Sequence, residues 1–298
     1  MHEIVIIGGG PAGLSAAIYA ARRGLKAIVI SQDIGGQITK TNEIENYPGV
    51  GIITGADLAK KLYDQARQFG AEFLFDEVKS IKKVGDNFKI KTIGKEIESK
   101  SIILCIGKKP RELGVPGEEK LKGHGVSYCA TCDAPFFRDK IVAVVGDGNS
   151  AIYSAIASAK VAKHVFILSK REDLHAEQAL IEKIEEQKNI EVISNVQVKE
   201  IKGEKRVETV ELNNGREITT DGIIIEIGYV IDRTLVDGLV EIDEKGQILA
   251  DDSQRTSVPG LFAAGDVTNS PYKQIVVAAS EGSKAALSCF GYLQKLKK

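Results

Sequence analysis

Tryptophan is absent from this chain of 298 residues, methionine occurs once, and cysteine only four times. Four cysteines in a chain of this length are too few for the disulfide framework that staples small secreted domains. No run approaches the roughly 18 apolar residues that a membrane-spanning helix needs. The N-terminus also lacks the basic start, apolar stretch and small-residue cleavage site of a secretory leader. The expectation is therefore a cytoplasmic protein without a membrane partner. Neither sign of charge is in excess, since 40 Lys and Arg oppose 41 Asp and Glu. That balance leaves no electrostatic footprint for nucleic acid and points to small molecules or another protein as partners. The missing tryptophan and scarce methionine, beside many Lys and Glu, lean towards a heat-adapted source.

Glycine, by contrast, is plentiful, and two of its clusters share one order. A β-branched run at 3–7 breaks at 8–13 (GGGPAG), and a small-residue helical pattern continues to about residue 23 before a return strand at 26–30. The same syntax recurs as a strand at 141–145, the turn 146–151 (GDGNSA), a helix to about 160 and a strand at 164–168. Gly8, Gly10 and Gly13 map onto Gly146, Gly148 and Ala151 with one constant offset of 138. In such a turn the first glycine permits the tight bend, the second admits a pyrophosphate, and the third lets helix pack on strand. Pro11, Ala12, Asn149 and Ser150 then open helices whose free N–H groups and dipoles favour phosphate.

Further pairs extend the duplication. Segments 101–107 (SIILCIG) and 222–228 (GIIIEIG) are buried-type strands ending on Gly107 and Gly228. Between opening and closing strands lie alternating runs with turn signals at Asp86-Asn87 and Asn213-Asn214-Gly215, which predict small antiparallel sheets. Residues 108–117 look like a linker, and a late strand at 260–264 with a long helix at about 272–292 returns to the first domain. The fold expected is α/β, two Rossmann-like three-layer domains with the second inserted into the first. The first takes 1–110 plus 241–298 and the second 111–240.

The residue after the second strand tells coenzymes apart, an acid there binding a ribose 2′-hydroxyl and a base a 2′-phosphate. After the strand at 164–168 the chain reads Ser169-Lys170-Arg171, with His175 one turn on. One reading places Lys170, Arg171 and His175 on the 2′-phosphate of NADPH; the other is a solvated basic turn paired with Glu172 and Asp173. Asp147, between two glycines of the turn, is irregular, because an anion beside a pyrophosphate is favourable only if it points away.

Cys129 and Cys132 form a Cys-x-x-Cys motif, which brings two sulfurs within bonding reach when it opens a helix and lowers the thiolate pKa there. Asp133 directly after it can shuttle a proton during thiol-disulfide exchange. The structural alternative is half of a zinc site with His124 as a third ligand. Cys105 and Cys289 read as small core residues.

Taken together these motifs resemble the low-molecular-weight thioredoxin reductases, flavoproteins of the pyridine nucleotide-disulfide oxidoreductase group. The resemblance spans essentially the whole chain and is carried by 8–13 (GGGPAG), 35–37 (GGQ), 45–49 (ENYPG), 129–133 (CATCD), 146–151 (GDGNSA) and 256–267 (TSVPGLFAAGDV). It implies FAD in the first turn, against Gly36, Gln37, Thr41, Asn46, Gly265 and Asp266, with Lys273, Gln274 and Ile275 beside the flavin. It implies NADPH in the inserted domain, a homodimer, and a thioredoxin- or glutaredoxin-like substrate whose disulfide Cys129 attacks while Cys132 faces the flavin. Asp133 matches the family's acid-base residue. Because dithiol and nicotinamide site share one domain yet serve one flavin, the resemblance also implies a domain rotation. Two departures stand out. The family usually carries His-Arg-Arg-x-x-x-Arg where this chain has 169–175 (SKREDLH), which makes one positive charge pH-dependent and leaves NADH open as a second donor. Residues 229–232 (YVID) lack the proline common there.

Overall fold

A run of four or five β-branched residues, apolar on both faces, can only be a strand covered on both sides. The computed structural model describes every residue except 41–43, 297 and 298 and the side chains of Lys40, Thr131 and Cys132. Thr41, expected at the first nucleotide site, therefore lies outside the described residues, as does the Cys132 side chain. The chain separates into two units, one made of Met1–Lys109 and Ile231–Lys298 and the other of Pro110–Val230.

Unit 1 opens with β1 (Ile4–Ile7), α1 (Pro11–Arg22), β2 (Ala27–Ser31), α2 (Gly55–Gln68) and β3 (Glu72–Phe75). A meander of β4 (Val78–Val84), β5 (Asn87–Thr92) and β6 (Glu96–Ser99) follows, then β7 (Ile102–Leu104). The chain leaves through β8 (Lys109–Pro110). Unit 2 carries β9 (Val126–Ser127), α3 (Ala130–Asp133), β10 (Ile141–Val145), α4 (Asn149–Ala159), β11 (His164–Leu168), α5 (Gln178–Glu185) and β12 (Ile190–Ile193). Its meander is β13 (Val198–Lys202), β14 (Thr209–Leu212) and β15 (Glu217–Thr219), followed by β16 (Gly222–Ile225) and the exit strand β17 (Tyr229–Val230). Back in unit 1 come β18 (Leu261–Ala263) and α6 (Ile275–Leu296).

The main sheets are both five-stranded and parallel, ordered β18-β7-β1-β2-β3 and β12-β11-β10-β16-β9. In each the opening strand sits centrally, between the return strand and the closing strand. Alternation along the strand then divides the core. Ile4 and Ile6 point to α1, α2 and α6, while Val5 and Ile7 point to the meander residues Val78, Ile81, Phe88 and Ile90. Unit 2 repeats this, with Val142 and Val144 facing α4 and α5, and Ala143 and Val145 facing Val198, Ile201, Val210 and Leu212. Each unit is thus helices, parallel sheet and antiparallel sheet, the three layers expected from the sequence.

The return crossing differs from the boundary near 240 read from the sequence. It falls at Val230 and Ile231, because Val236 is fully buried in the unit 1 core with Ile231, Leu235, Leu239 and Val240 packed around it. A second point was not legible: the fifth strand of the unit 2 sheet is β9, before the opening strand, whereas in unit 1 it is β18, the expected late strand after the closing strand. Cys129 follows β9 as Gly265 and Asp266 follow β18. Both segments lie at the carboxyl end of a parallel strand, where α/β sheets hold their ligands.

Candidate active site

The two glycine turns are built alike, bond for bond. Gly8 N–H donates to the Ile30 carbonyl at 2.9 Å and Cys105 N–H to the Ile7 carbonyl at 2.8 Å; in unit 2 Gly146 N–H donates to Leu168 at 3.1 Å and Glu226 N–H to Val145 at 2.8 Å. Gly8 has a φ of 111° and Gly146 one of 146°, which L side chains rarely adopt. An added Cβ at Gly8 would lie 2.2 Å from the Cys105 carbonyl oxygen, and at Gly146 2.4 Å from that of Glu226. At Gly13 it would lie 1.9 Å from the Gly8 carbonyl oxygen. The middle glycines behave otherwise. An added Cβ at Gly10 would meet nothing nearer than the Gly35 carbonyl at 3.8 Å, and at Gly148 nothing nearer than the His175 carbonyl at 3.9 Å. The protein itself therefore does not require those two glycines, and the space is left for something else.

The helices behind these turns are also uncapped. Neither Gly10 before α1 nor Gly148 before α4 offers a side-chain cap, and neither helix has an acid in its first turn. In contrast α2 is capped by Thr54, whose Oγ1 accepts from Asp57 N–H at 3.1 Å. Free N–H groups, a positive dipole end and open backbone fit a dinucleotide pyrophosphate.

In unit 1, Gly36 and Gly265 pack on the turn and the start of α1, while the other expected residues bond to neighbouring segments. Gly35 N–H donates to the Gly9 carbonyl at 2.7 Å, and Gly36 lies against Gly10, its added Cβ 3.6 Å from the Gly10 Cα. Gly265 approaches Ala12 so closely that its added Cβ would be 3.0 Å from the Ala12 Cβ. Gln37 Nε2 donates to the Lys108 carbonyl at 2.8 Å, next to Gly107, and Asn46 Nδ2 to Gln274 Oε1 at 3.3 Å. Lys273 Nζ donates to the carbonyls of Asp266 (3.2 Å) and Thr268 (2.5 Å), directly ahead of Ile275 at the start of α6. Desolvation raises the Asp266 carboxyl above the usual range, against the pull of Lys108 and Lys273. Desolvation lowers the Lys273 ammonium, and Lys108 adds to that. Three unit 1 residues escaped the sequence reading. Ser31 Oγ accepts from Gly9 N–H at 2.9 Å and fixes the turn. Asp33 stands after β2 where an acid meets a ribose, its Oδ1 accepting from Gly36 N–H at 3.2 Å. Buried Glu281 of α6 accepts from Gly265 N–H at 2.7 Å and Thr268 Oγ1 at 3.2 Å. The twenty-residue spacing from Gly13 was a signal for Asp33; the others had none.

In unit 2 the segment after β11 folds back on the turn, with His175 N–H donating to the Asp147 carbonyl at 2.7 Å. Lys170, Arg171 and His175 are exposed. Arg171 pairs with neither Glu172 nor Asp173 among the described residues; its Nε lies 3.3 Å from Asp147 Oδ2. Ala151, in the third-glycine position, is fully buried, and Ser150 is exposed. Asn149 exchanges two hydrogen bonds of 2.9 Å with Glu177, ahead of α5, so its side chain is already engaged. Gly228, at a φ of 94°, ends the stretch after β16.

The dithiol lies at the end of β9. Ser127 Oγ accepts from Cys129 N–H at 3.0 Å, and Asp133 N–H donates to the Cys129 carbonyl at 3.1 Å, which closes the short helix α3. Cys129 is disulfide-bonded, whereas Cys105 and Cys289 are free and buried. Burial pushes the Cys105 thiol up and the Cys289 thiol up to about 12, so both are inert packing residues. Among the described residues no group of three or more His, Cys, Asp or Glu is placed to hold a metal ion, and the ring of His124 sits 3.2 Å from the Lys122 carbonyl. No described helix is long and apolar enough to cross a membrane. Just before the dithiol, Tyr128 donates to buried Glu118 at 2.7 Å, and Glu118 also accepts from Leu113 and Gly114 N–H. That anchor had no sequence signal.

With this geometry in place, comparisons with known proteins give the following. A profile of the pyridine nucleotide-disulphide oxidoreductase family matches residues 2–282. A thioredoxin reductase of Peptoclostridium acidaminophilum is 39% identical, across 99% of this chain and 98% of that protein. An NADH dehydrogenase of Bacillus subtilis is 38% identical across 98% of this chain, which spans 58% of that longer protein. Among solved structures, thioredoxin reductase of Lactococcus lactis superposes with a TM-score of 0.90 at 36% identity, covering 99% of this chain and all of that one.

Proposed function

The chain belongs to the pyridine nucleotide-disulphide oxidoreductase family, and on that premise we propose that it is a thioredoxin-disulfide reductase. Electrons enter from NADPH or NADH at the unit 2 turn and leave through the Cys129–Cys132 pair to the disulfide of a thioredoxin- or glutaredoxin-like protein. Unit 1 is the FAD domain in this reading and unit 2 the NAD(P)H domain. The observation that carries it is the disulfide-bonded Cys129 at the carboxyl end of the same sheet as one of two turns whose middle glycines the protein's own packing does not need. The likeness to proteins named thioredoxin reductase over nearly the full chain supports the same conclusion.

FAD, when bound, supplies a ring system that accepts hydride and passes electron pairs to a disulfide. The residues of unit 1 would hold it. Gly8 to Gly13 and the start of α1 would take the pyrophosphate, Asp33 a ribose, and Asp266 the ribityl chain. Gly36, Gln37, Asn46, Gly107, Lys273, Gln274 and Ile275 line the rest of the path, with Thr41 included by resemblance. In unit 2, Gly146, Gly148 and Ala151 with Asn149 and Ser150 take the pyrophosphate of the nicotinamide coenzyme. Lys170, Arg171 and His175, exposed after β11, would face its adenosine ribose, and Gly228 lies beyond β16.

Once reduced, the pair acts by thiol-disulfide exchange. The Cys129 thiolate attacks one sulfur of the substrate disulfide, releasing the other as a thiolate. Cys132 then attacks the mixed disulfide, which frees the reduced substrate and restores the Cys129–Cys132 bond. Asp133 supplies and removes protons so that thiol and thiolate forms alternate. This chemistry belongs to a reducing compartment, and we place the protein in the cytoplasm as a homodimer, a state that light scattering on the purified protein would check.

The decisive measurement uses Cys132→Ser. Purified parent should be yellow, bleach with NADPH or NADH, and reduce a thioredoxin. The variant should still bleach but lose thioredoxin reduction. Reduction at near parental rate would exclude the scheme, and a colourless parent would exclude the flavin.

A further inference from the structure

Asp147 stands between Gly146 and Gly148, where the first turn has Gly9. An added Cβ at Gly9 would lie 2.5 Å from the Asp33 carbonyl oxygen and 2.9 Å from Ser31 Oγ, so the first turn has no room for a side chain there. The second turn has room and fills it with a carboxylate. The Asp147 side chain is 18% exposed, and its Oδ2 is buried without a hydrogen-bond partner among the described residues. Arg171 Nε lies 3.3 Å from it, an ion-pair contact without the alignment of a donated hydrogen bond. Arg171 in turn lies in the segment just past β11, the place that reads the adenosine ribose, where an acid takes a 2′-hydroxyl and a base a 2′-phosphate. Here a base and an acid meet at one spot. Part of the Arg171 charge is answered before any phosphate arrives. A phosphate seated on Arg171 would also lie about one guanidinium's breadth from the carboxylate, and like charges at that range repel. A ribose hydroxyl carries no charge and meets no such repulsion.

We propose that Asp147 is a specificity-determining residue, which lowers the preference of the second turn for a coenzyme bearing a 2′-phosphate and opens the site to one bearing a 2′-hydroxyl. This rests on reading that turn as the nicotinamide coenzyme site. Lys170, and His175 when protonated, supply the positive charge that Asp147 does not neutralise.

Calorimetric titration of the purified flavoprotein with NADP⁺ and with NAD⁺ tests it by binding alone. Asp147→Asn keeps the shape and removes the charge, and it should shift the ratio of dissociation constants towards NADP⁺ by about fivefold, the upper range for a half-exposed ion pair. Arg171→Gln should shift the ratio towards NAD⁺, and adding Asp147→Asn to it should change the ratio little. Asp147→Gly, with the residue of the first turn, serves if the asparagine variant does not fold. A ratio that stays within about twofold in both Asp147 variants, or moves towards NAD⁺, overturns the proposal. If the parent binds neither dinucleotide, the coenzyme reading has failed and the role of Asp147 with it.

Discussion

An added Cβ at Gly13 would lie 1.9 Å from the Gly8 carbonyl oxygen, whereas at Gly10 the nearest atom is 3.8 Å away. The two glycines of one motif therefore have different consequences. Gly13→Ala forces α1 away from β1, and overpacking of this kind costs about 1–3 kcal/mol. The variant should melt at a lower temperature even without flavin. Gly10→Ala should keep the melting temperature of the flavin-free protein while losing bound flavin, read as absorbance per mole of purified protein. At this scale the sequence showed residue types and spacing, which sufficed for both turns and for the Cys-x-x-Cys motif. It did not show which neighbour each side chain meets. Of the two readings of Arg171, the one that paired it with Glu172 and Asp173 does not hold; it meets Asp147, 24 positions upstream, because the chain folds back so that His175 bonds to Asp147.

Among the elements, β9 is two residues long and had no periodicity to reveal it, yet it places the dithiol at the carboxyl end of the unit 2 sheet through its pairing with β16. What holds the following residue is Glu118. It is 4% exposed and satisfied by Tyr128 Oη and by the N–H groups of Leu113 and Gly114. Burial and the carboxylate together raise the Tyr128 hydroxyl, so the phenol stays protonated and keeps donating. Glu118→Ala removes the shared acceptor of three donors, two half-buried and one exposed, and should cost about 2 kcal/mol in urea unfolding at unchanged slope. Tyr128→Phe should cost about 1 kcal/mol. If the two losses were equal, the backbone bonds to Glu118 would contribute nothing. The main helices and strands were legible because their apolar patterns are local, while β9 exists only through its neighbour.

For the molecule as a whole, duplication is the dominant fact. Unit 2 is one continuous segment, Pro110–Val230, with a parallel sheet covered on both faces by its own core. Expressed alone, 110–230 should fold cooperatively, with a single thermal transition by circular dichroism, and should bind NADP⁺ or NAD⁺. Unit 1, split into two pieces by the insertion, should not fold from 1–109 alone, because that piece lacks β18 and α6. A stable, flavin-binding 1–109 fragment would contradict this division.

The sequence by itself determined the α/β class, the repeated strand-turn-helix units, the antiparallel meanders and the redox motif, since each is written in local spacing and in apolar periods of about 3.6 or 2. Tertiary structure alone decided three things. It moved the return crossing to Val230 and Ile231, because Val236 and its neighbours bury themselves in unit 1. It distinguished the glycines that the packing needs from those it leaves open, which depends on carbonyl oxygens far along the chain. And it set a carboxylate against the arginine that would read a coenzyme's 2′ position, a contact that no local pattern encodes because electrostatics acts through space and not along the sequence.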